Sequence, residues 1–388
     1  MRIIWVSHSA WIGGGAELAM LEGVKGLKAE GHSIQVVSPS EGNLVEWLTA
    51  MGVPTLICNP SYGEWAYLNF VPRYHYRVRR MTQNIRAARK IAEFIQQFKP
   101  DVVVTNTIGS PAGAFAARWA NVPHIWYVHE MFGMDCHDQV LFDLGEKLSL
   151  SIMNKLSSRI IVNSKIVRGL FSRGISQEKL RLVYYAMDAP QKVADKQSDH
   201  ELKLIIVGRV TPGKRQEDAI RAVRSLADRK IDVHLSVVGN AQQKYGEFLQ
   251  NLTRQLGLEE QVSFIPFTDD PHSHVARSDI ALMCSRGEPF GRVTVEAMKQ
   301  GVPVVGAASG GTTEIIRDGV TGFLYQLGDP NDLSTKIEIL HRNRQLLGRM
   351  SATARQWANS SFSLKKYTSD LLAVFEETIA NTKSGSRH

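Results

Sequence analysis

The sequence predicts an α/β protein made of two Rossmann-like halves. Short apolar segments alternate with longer amphipathic ones along almost the whole chain, which is typical of parallel sheets covered by helices. At 388 residues the chain is also longer than a single hydrophobic core usually supports. The alternation stops once, in the polar segment 186–200, and then starts again. We therefore predict a domain at 1–188, a linker at 186–200 and a second domain at 201–363.

The first domain opens with a strand–loop–helix–strand unit, the start of a doubly wound parallel sheet. An apolar strand at 2–7 leads through a glycine loop to a helix at 16–30, and a second strand follows at 33–38. The remaining predicted elements are strands at 55–58, 101–105, 124–128, 159–163 and 180–184, and helices at 44–51, 82–98, 112–119, 144–155 and 164–173.

The second domain repeats this alternation. Its predicted strands lie at 203–207, 233–238, 262–265, 280–285 and 302–306, and its helices at 214–229, 245–256, 271–276, 293–300 and 331–341. A terminal helix is expected at 364–379, followed by a frayed tail at 381–388.

The composition limits the classes of ligand that the protein could bind but does not identify the ligand. The net charge of +8 suits acidic partners such as nucleotides, phosphates or anionic lipid surfaces. The three cysteines, Cys58, Cys136 and Cys284, are scattered and fit free thiols in a reducing cytoplasm better than a zinc site. No apolar run approaches the ~20 residues that span a bilayer, and no secretory signal is evident. We expect a cytoplasmic protein, at most attached to a membrane face.

The stretch 288–296, EPFGRVTVE, places two carboxylates around a loop and a helix start. Glu288 precedes the helix and Glu296 lies within it, with Arg292 one turn before Glu296 on the same face. Backbone N–H groups at Gly291, Arg292 and Val293 could hold a phosphate at the helix N-terminus, with the carboxylates accepting hydrogen bonds from hydroxyls on either side. The alternative is a salt-bridged surface helix.

Three further loops fall at predicted carboxyl ends of strands. Arg209 and Lys214 would stabilise a leaving diphosphate, although a solvated basic turn has the same composition. The loops 13–15 and 309–311 are glycine-rich and would let backbone N–H groups approach a ligand, or would simply be tight turns. None has the spacing of a dinucleotide-binding fingerprint or a Walker A loop.

Two other features have both a functional and a structural interpretation. His129 follows the strand 124–128 and could position a substrate hydroxyl, but a lone histidine there is more often a structural hydrogen-bonding group; His8 is a weaker candidate. A basic and aromatic cluster could contact phospholipid or an anionic acceptor, but the solvated face of a long helix is preferred. Its members are Arg73, Tyr74, His75, Tyr76, Arg77, Arg79, Arg80, Arg86 and Arg89. Nucleic-acid binding has no support beyond charge.

Together these motifs resemble those of the retaining glycosyltransferases of the GT-B fold, in glycosyltransferase family 4. The matching strings cover most of the chain and are strongest from 203 to 330. They are the glycine loop 13–15, Gly208-Arg209 with Lys214, the E-x7-E motif 288–296, the segment 297–305 (AMKQGVPVV) and the glycine-containing segment 310–322. The resemblance implies two Rossmann-like domains facing a central cleft, with the terminal helix 364–380 packing back on an acceptor-binding first domain.

The resemblance also implies roles for individual residues. Arg209 and Lys214 would hold the donor diphosphate without a metal, Glu288 would contact the donor sugar, and Glu296 would bind the ribose. Residues expected to line the donor site, including the nucleobase end, are Gly14, Gly15, Pro266, Phe267, Phe290, Gly291, Arg292 and Val293. His129 matches the histidine that this family carries near the donor sugar. No Asp-x-Asp motif occurs where a metal-dependent transferase would carry one.

The expected activity is therefore transfer of a hexose from a nucleoside diphosphate sugar, with UDP-hexose favoured over GDP-sugars. The acceptor would be a glycan, a lipid-linked molecule or a small molecule. Two alternatives stay open, a nucleotide-sugar epimerase or phosphorylase and a non-catalytic nucleotide-sugar-binding protein on the same frame.

Overall fold

Two parallel sheets, each in its own compact unit, organise the chain. The computed structural model describes residues 1–58, 62, 64–68, 74–133, 140–187 and 201–385. One unit contains Met1–Ala186 together with Leu364–His388, and the other contains Met187–Ser363.

The first unit is built on a seven-stranded parallel sheet of strand order β3-β2-β1-β5-β6-β8-β9. Its strands, with the two-stranded antiparallel pair β4 and β7, are β1 (Arg2–Val6), β2 (Ser33–Ser38), β3 (Thr55–Ile57), β4 (Ala66–Leu68), β5 (Val102–Asn106), β6 (His124–Val128), β7 (Val140–Phe142), β8 (Arg159–Val162) and β9 (Leu180–Leu182). Its first six helices are α1 (Gly15–Ala29), α2 (Asn43–Ala50), α3 (Tyr74–Phe98), α4 (Ala112–Trp119), α5 (Glu146–Leu156) and α6 (Lys165–Phe171). The strand order reverses between β1 and β5, and such a switch point is where open α/β sheets bind ligands.

The second unit is built on a six-stranded parallel sheet of order β12-β11-β10-β13-β14-β15. Its strands are β10 (Leu202–Val207), β11 (Val233–Val238), β12 (Val262–Ile265), β13 (Ile280–Met283), β14 (Val304–Ala307) and β15 (Gly322–Tyr325). Its helices are α7 (Gln216–Asp228), α8 (Gln243–Gln255), α9 (Pro271–Ala276), α10 (Arg292–Lys299), α11 (Thr312–Ile315), α12 (Pro330–Arg342) and α13 (Arg344–Ser361). The order again reverses at the first strand, between β10 and β13.

The central strands are apolar on both faces because helices cover both sides of each sheet. In β1, residues Ile3, Ile4 and Trp5 are fully buried, and in β10 Leu202 and Ile205 are fully buried. The predicted α/β class and the two Rossmann-like halves are confirmed.

The terminal helix α14 (Leu364–Gly385) packs on the first unit, as the fold class predicted. The Tyr367 hydroxyl donates a 2.9 Å hydrogen bond to the Ala19 carbonyl of α1 and lies 3.0 Å from the Tyr127 hydroxyl of β6. Near the other end of the helix, the Glu377 carboxylate pairs with Arg159 at 2.8 Å and with Arg181 at 2.5 Å. Buried and charged contacts thus hold both ends of the helix.

Some elements differ from the sequence-based expectation. Helix α3 begins at Tyr74, eight residues before the predicted start at 82, and its extra turns are held by Arg77 on the Asp143 carbonyl and by Arg80 on Glu64. The predicted frayed tail from 381 is wrong in its first residues, because α14 continues to Gly385 and a packed helix extends at little cost. The linker residues 188–200 lie outside the described part of the chain.

The elements that the hydrophobic pattern of the sequence does not predict are short or, in one case, have alanines on the buried face. They are β4, β7, α11, β15 and α13. Helix α13 buries Leu347, Met350, Ala354 and Ala358, which have helical spacing, but the two alanines contribute little to an apolar pattern. Within the described residues, no helix is both long enough and apolar enough to cross a bilayer.

We predict that the acid end of the stability profile depends on Glu377. Its two arginine partners hold the pKa of the carboxyl at about 2, below the ordinary 4.5. The stabilisation is therefore complete above pH 4.5 and is lost as the pH falls towards 2. Because the side chain is partly exposed, solvent screening limits the effect of Glu377→Gln to about 1 kcal/mol at pH 7.

Thermal unfolding at pH 7 and pH 2.5 measures this difference, with Glu376→Gln at the neighbouring exposed position as the control. The melting temperature of Glu377→Gln should fall below that of the control at pH 7, and the difference should be several-fold smaller at pH 2.5. Equal melting temperatures at pH 7 would contradict the role given to Glu377.

Candidate functional site

The second unit brings the predicted cationic loop and the predicted carboxylate loop together. The loops follow β10 and β13, which are paired in parallel, so their carboxyl ends lie side by side. The Lys214 Nζ lies 2.5 Å from the Glu288 Oε2. A backbone hydrogen bond of 2.9 Å from the Arg286 N–H to the Gly213 carbonyl joins the same two loops. Residues 74 positions apart thus form one ion pair.

The turn that carries Lys214 is stabilised by the next residue, Arg215. Lys214 ends a short 3₁₀ helix, and Arg215 follows in the left-handed region at φ 51°. This conformation is costly for a residue with a side chain. The Arg215 guanidinium makes two 2.8 Å hydrogen bonds to the buried carboxylate of Asp218, and this pairing raises the pKa of Arg215. The bidentate pair stabilises the turn and therefore the position of Lys214.

The predicted glycine loop 309–311 lies against the Glu288 turn. The Gly311 N–H donates a 2.7 Å hydrogen bond to the Glu288 carbonyl. A Cβ at Gly310 would lie 2.5 Å from the Glu288 carbonyl oxygen, and one at Gly311 would lie 2.6 Å from the Phe290 carbonyl oxygen. Both positions require glycine because two backbones meet there, so their first role is to support the turn that carries Glu288.

Helix α10 begins immediately after this turn. Gly291 is its N-cap at φ 107°, and Arg292 and Val293 occupy the first turn, where backbone N–H groups point out of the helix end. The Arg292 Nε lies 3.8 Å from the Glu296 Oε1, which is the predicted i, i+4 pair. The arrangement places amides, a cation and a second carboxylate on one side of the loop.

The remaining predicted donor residues of this unit have contrasting environments. Phe290 is buried, with its ring edge-to-face on Phe362 at 5.7 Å, so any donor contact at this position comes from its backbone. Pro266 and Phe267 follow β12 and are exposed, and the Phe267 side chain is 65% accessible.

In the first unit, the buried Glu17 side chain contacts both the glycine turn and His8. Helix α1 begins at Gly15 with Gly14 as its N-cap, and the Gly14 N–H donates a 3.0 Å hydrogen bond to the Glu17 Oε2. The other oxygen, Oε1, lies 2.9 Å from the His8 Nε2. Glu17 is not among the predicted site residues, although a glutamate three positions after an N-cap is a known capping signal.

His129 is buried and belongs to a polar network. Its Nε2 lies 2.8 Å from the Asn106 Oδ1, and its Nδ1 lies 2.5 Å from the Tyr185 hydroxyl. Because an amide oxygen only accepts, Nε2 carries the proton and Nδ1 accepts from Tyr185. The Asn163 amide donates to the same hydroxyl at 2.6 Å. The network therefore fixes the tautomer of His129.

The network residues Asn106 and Asn163 are also missing from the predicted site. Asn106 ends β5 and Asn163 follows β8, on either side of the strand that His129 follows. Polar residues at the carboxyl ends of three neighbouring parallel strands are a signal that could have identified them. The Asn106 amide also donates a 3.3 Å hydrogen bond to the Ala16 carbonyl, which connects the network to the first turn of α1.

Glu130, next to His129, is a further, partly buried acid at this edge. Burial raises the pKa of its carboxyl, while hydrogen bonds from the backbone N–H groups of His129 and Ile108 oppose the rise. The carboxylate accepts from the His129 N–H at 3.0 Å.

Within the described part of the chain, two arginines of the basic cluster on α3 have acidic partners. Arg77 contacts Asp143 and Arg80 contacts Glu64, whereas Arg79, Arg86 and Arg89 lie on the exposed face. Arg73 lies outside the described residues, and Tyr74 is the first residue of the helix. The solvated-face and lipid-contact interpretations both stay predictions. No group of three or more His, Cys, Asp or Glu side chains within the described residues could hold a metal ion.

Two family models match consecutive parts of the chain. The model described as Glycosyltransferase Family 4 matches residues 13–189, and the model described as Glycosyl transferases group 1 matches residues 189–357.

Curated relatives match over a shorter stretch. The chain is 30% identical over 204 residues to N-acetyl-alpha-D-glucosaminyl L-malate synthase of Bacillus anthracis, a match that covers 52% of this chain and 53% of the relative. It is 34% identical over 183 residues to D-inositol 3-phosphate glycosyltransferase of Geodermatophilus obscurus, covering 44% of this chain and 39% of the relative. The chain thus spans about half the length, or less, of these relatives.

Two solved structures share the fold over nearly the full chain. HepE of Anabaena in complex with UDP has a TM-score of 0.78 at 23% identity, and the match covers 97% of this chain and 100% of that one. A glycosyltransferase of Rickettsia africae has a TM-score of 0.80 at 20% identity, with 98% and 99% covered.

We predict that Gly311→Ala destabilises the second unit. The added Cβ would overlap the Phe290 carbonyl oxygen, which displaces one of two packed loops and costs about 1–3 kcal/mol. Gly348→Ala is the matched control, because a Cβ at this exposed position of α13 meets no atom within 4 Å. Alanine also favours a helix over glycine by about 0.5–1 kcal/mol.

Thermal unfolding should therefore give shifts of opposite sign, downward for Gly311→Ala and upward or neutral for Gly348→Ala. A Gly311→Ala variant as stable as the wild-type protein would show that the two loops are not packed as described.

Proposed function

The chain belongs to glycosyltransferase family 4, with the GT-B fold, and from this we propose that it transfers a hexose from a nucleoside diphosphate sugar to an acceptor hydroxyl. UDP-hexose is the favoured donor, and the acceptor is a glycan, a lipid-linked molecule or a small molecule. The observation that carries the proposal is the Lys214–Glu288 pair beside the N-terminus of α10, where a cation, a carboxylate and helix-end amides lie together.

The second unit supplies the groups that this donor requires. A lysine ammonium has three donors, so Lys214 can keep its bond to Glu288 and still offer two N–H groups to diphosphate oxygens. Arg209 adds a second cation at the end of β10. We assign the sugar hydroxyls to Glu288 and to the amides of Gly291–Val293, and the ribose hydroxyls to Glu296.

Other residues complete the proposed donor site. Pro266 and the exposed Phe267 would line the nucleobase end, and the backbone of Phe290 would contribute at the sugar end. In the first unit, Gly14 and Gly15 would approach the diphosphate. The Gly14 N–H is already bonded to Glu17, so the contribution of this turn falls to other amides and to the partial positive charge of the helix end. Structures of HepE with UDP and with UDP-glucose support the choice of nucleotide.

The chemistry we propose retains the anomeric configuration. The bond between the anomeric carbon and the diphosphate oxygen breaks through an oxocarbenium-like state, and negative charge collects on the diphosphate beside Arg209 and Lys214. The acceptor oxygen then bonds to the same face of the anomeric carbon, and its proton passes to the departing phosphate oxygen. Both ring nitrogens of His129 are bonded, to Asn106 and Tyr185, so His129 would position the sugar by exchanging its Asn106 bond for a sugar hydroxyl. No strong protein base is required.

Charge compensation by two side chains leads us to propose that no metal is needed. Turnover in excess EDTA tests this directly. The same assay without acceptor separates the alternatives, since an epimerase converts the nucleotide sugar to its epimer, a transferase at most hydrolyses it slowly, and a non-catalytic binding protein leaves it intact.

We predict that a UDP-sugar raises the melting temperature more than a GDP- or ADP-sugar does. A ligand that binds only the folded state stabilises it by about 2.7 kcal/mol at a concentration of 100 times Kd. A thermal-shift panel of the three nucleotide classes measures this effect. No shift with any nucleotide sugar would contradict the proposed function, whereas a shift with GDP-sugars alone would change only the donor.

We predict that Lys214→Ala lowers kcat by ~10²-fold or more, because the leaving diphosphate loses a charge-stabilising donor. Lys244→Ala, which removes an exposed lysine of α8 in the same unit, is the control and should be as active as the wild-type enzyme. Steady-state release of the nucleoside diphosphate measures both. A near-normal rate for Lys214→Ala would reject its assigned role.

Glu296→Ala should act differently and mainly raise the donor KM, since a ribose contact contributes to binding in both the ground state and the transition state. The same steady-state assay, run against donor concentration, separates KM from kcat. An unchanged donor KM would count against ribose binding by Glu296.

A further inference from the structure

The loop that follows β1 exposes a tryptophan next to the glycine turn. The Trp11 side chain is 61% accessible, and it lies two residues before Gly13. A Cβ at Gly13 would meet no atom within 4 Å, so the surface above the turn is open. A single exposed indole is common on protein surfaces, and it indicates a binding site only together with further apolar surface.

Hydrogen bonds hold the backbone of this loop in place. The Ser9 hydroxyl accepts from the Trp11 N–H at 3.0 Å and donates to the Trp11 carbonyl at 2.9 Å. The Ile12 N–H donates a 2.8 Å hydrogen bond to the Asn43 side chain, and the Leu44 N–H donates a 3.0 Å bond to the Ala10 carbonyl. The exposed indole is therefore carried by a fixed backbone.

A second exposed tryptophan lies close to the anchor of this loop. Asn43 and Trp47 are four residues apart on α2, so they share one face of the helix. Helical side chains lean towards the N-terminus, which brings Trp47, 60% accessible, towards the turn where Asn43 bonds Ile12. We call Trp11 and Trp47 the aromatic pair: one lies on the loop after β1, and the other lies on α2, whose first residue is bonded to that loop.

The charges around the aromatic pair restrict what it can bind. The segments 7–17 and 41–50 contain no lysine or arginine, and two of their three glutamates, Glu41 and Glu46, are exposed. The third, Glu17, is buried and both its oxygens are already bonded. Carboxylates accept hydrogen bonds from hydroxyls and repel anions. An uncharged sugar ring, with an apolar C–H face and hydroxyls on its rim, matches exposed indoles on segments whose exposed charges are carboxylates.

From these observations we propose that the aromatic pair is the acceptor subsite and that the acceptor is a neutral carbohydrate. This inference rests on the proposed transferase function and makes it more specific, because it selects a glycan over an anionic small molecule. An anionic membrane surface is disfavoured by the same glutamates.

The experiment measures binding of the full-length protein to immobilised neutral oligosaccharides, to immobilised acidic oligosaccharides and to phosphatidylcholine vesicles with 20% phosphatidylglycerol, as a typical anionic composition. Variants Trp11→Ala and Trp47→Ala are compared with Trp119→Ala. Trp119 is 50% accessible but ends α4, which returns the chain to the opposite edge of the sheet, so it is a matched control. Trp11→Phe keeps an aromatic face and tests the stacking itself.

We expect neutral oligosaccharides to bind, with affinity reduced about tenfold by Trp11→Ala or Trp47→Ala. Trp119→Ala and Trp11→Phe should bind nearly as the wild-type protein does. Absence of neutral-glycan binding, binding only to acidic glycans, or binding unaffected by loss of the aromatic pair would overturn the inference. Vesicle binding that Trp11→Ala abolishes would assign the surface to lipid and overturn it as well.

A parallel thermal-shift measurement with UDP-glucose separates the two levels of the proposal. A shift that all the tryptophan variants retain, without glycan binding, would leave the transferase function standing and reject only the carbohydrate acceptor. Absence of a shift in the wild-type protein with UDP-, GDP- and ADP-sugars alike would reject the function on which the inference rests.

Discussion

The parallel pairing of β10 with β13 is the constraint on which the candidate donor site depends. Strand order reverses there, so the loops at the two carboxyl ends are neighbours although they are far apart in sequence. One loop contributes a cation and the other a carboxylate, and the two form an ion pair at 2.5 Å. The strand pairing therefore brings the two loops together, and the loop sequences place Lys214 and Glu288 there.

These two loops are supported by residues that pack against them. Arg215 and the buried Asp218 hold the turn before α7, and Gly310 and Gly311 allow a third loop to press against the Glu288 backbone. Precision in a binding site usually comes from such supporting contacts. The first unit has a comparable arrangement, in which Asn106, Tyr185 and Asn163 fix the ring of His129.

Much of this could be predicted from the sequence, and the remainder has identifiable causes. Strands such as His124–Val128 are continuous apolar runs between turn residues, so their positions follow from composition. The sequence predicted that Lys214 and Glu288 lie on loops at the carboxyl ends of strands, but it did not predict their ion pair. Helix α13 was not predicted because its buried face includes alanines. Glu17 and Asn106 were not predicted because each is an ordinary polar residue until the fold gives it a partner.

The Lys214–Glu288 pair also has a consequence for selectivity among cellular anions. With its carboxylate partner in contact, the ammonium carries little net charge towards solvent, so a small monoanion such as chloride gains little by approaching it. Only a ligand that brings several negative oxygens at once, together with hydroxyls for the carboxylate, compensates both partners. Under the proposed function, Glu288 would thus act as a counter-ion that keeps simple salts from binding Lys214 until the diphosphate of the donor sugar binds.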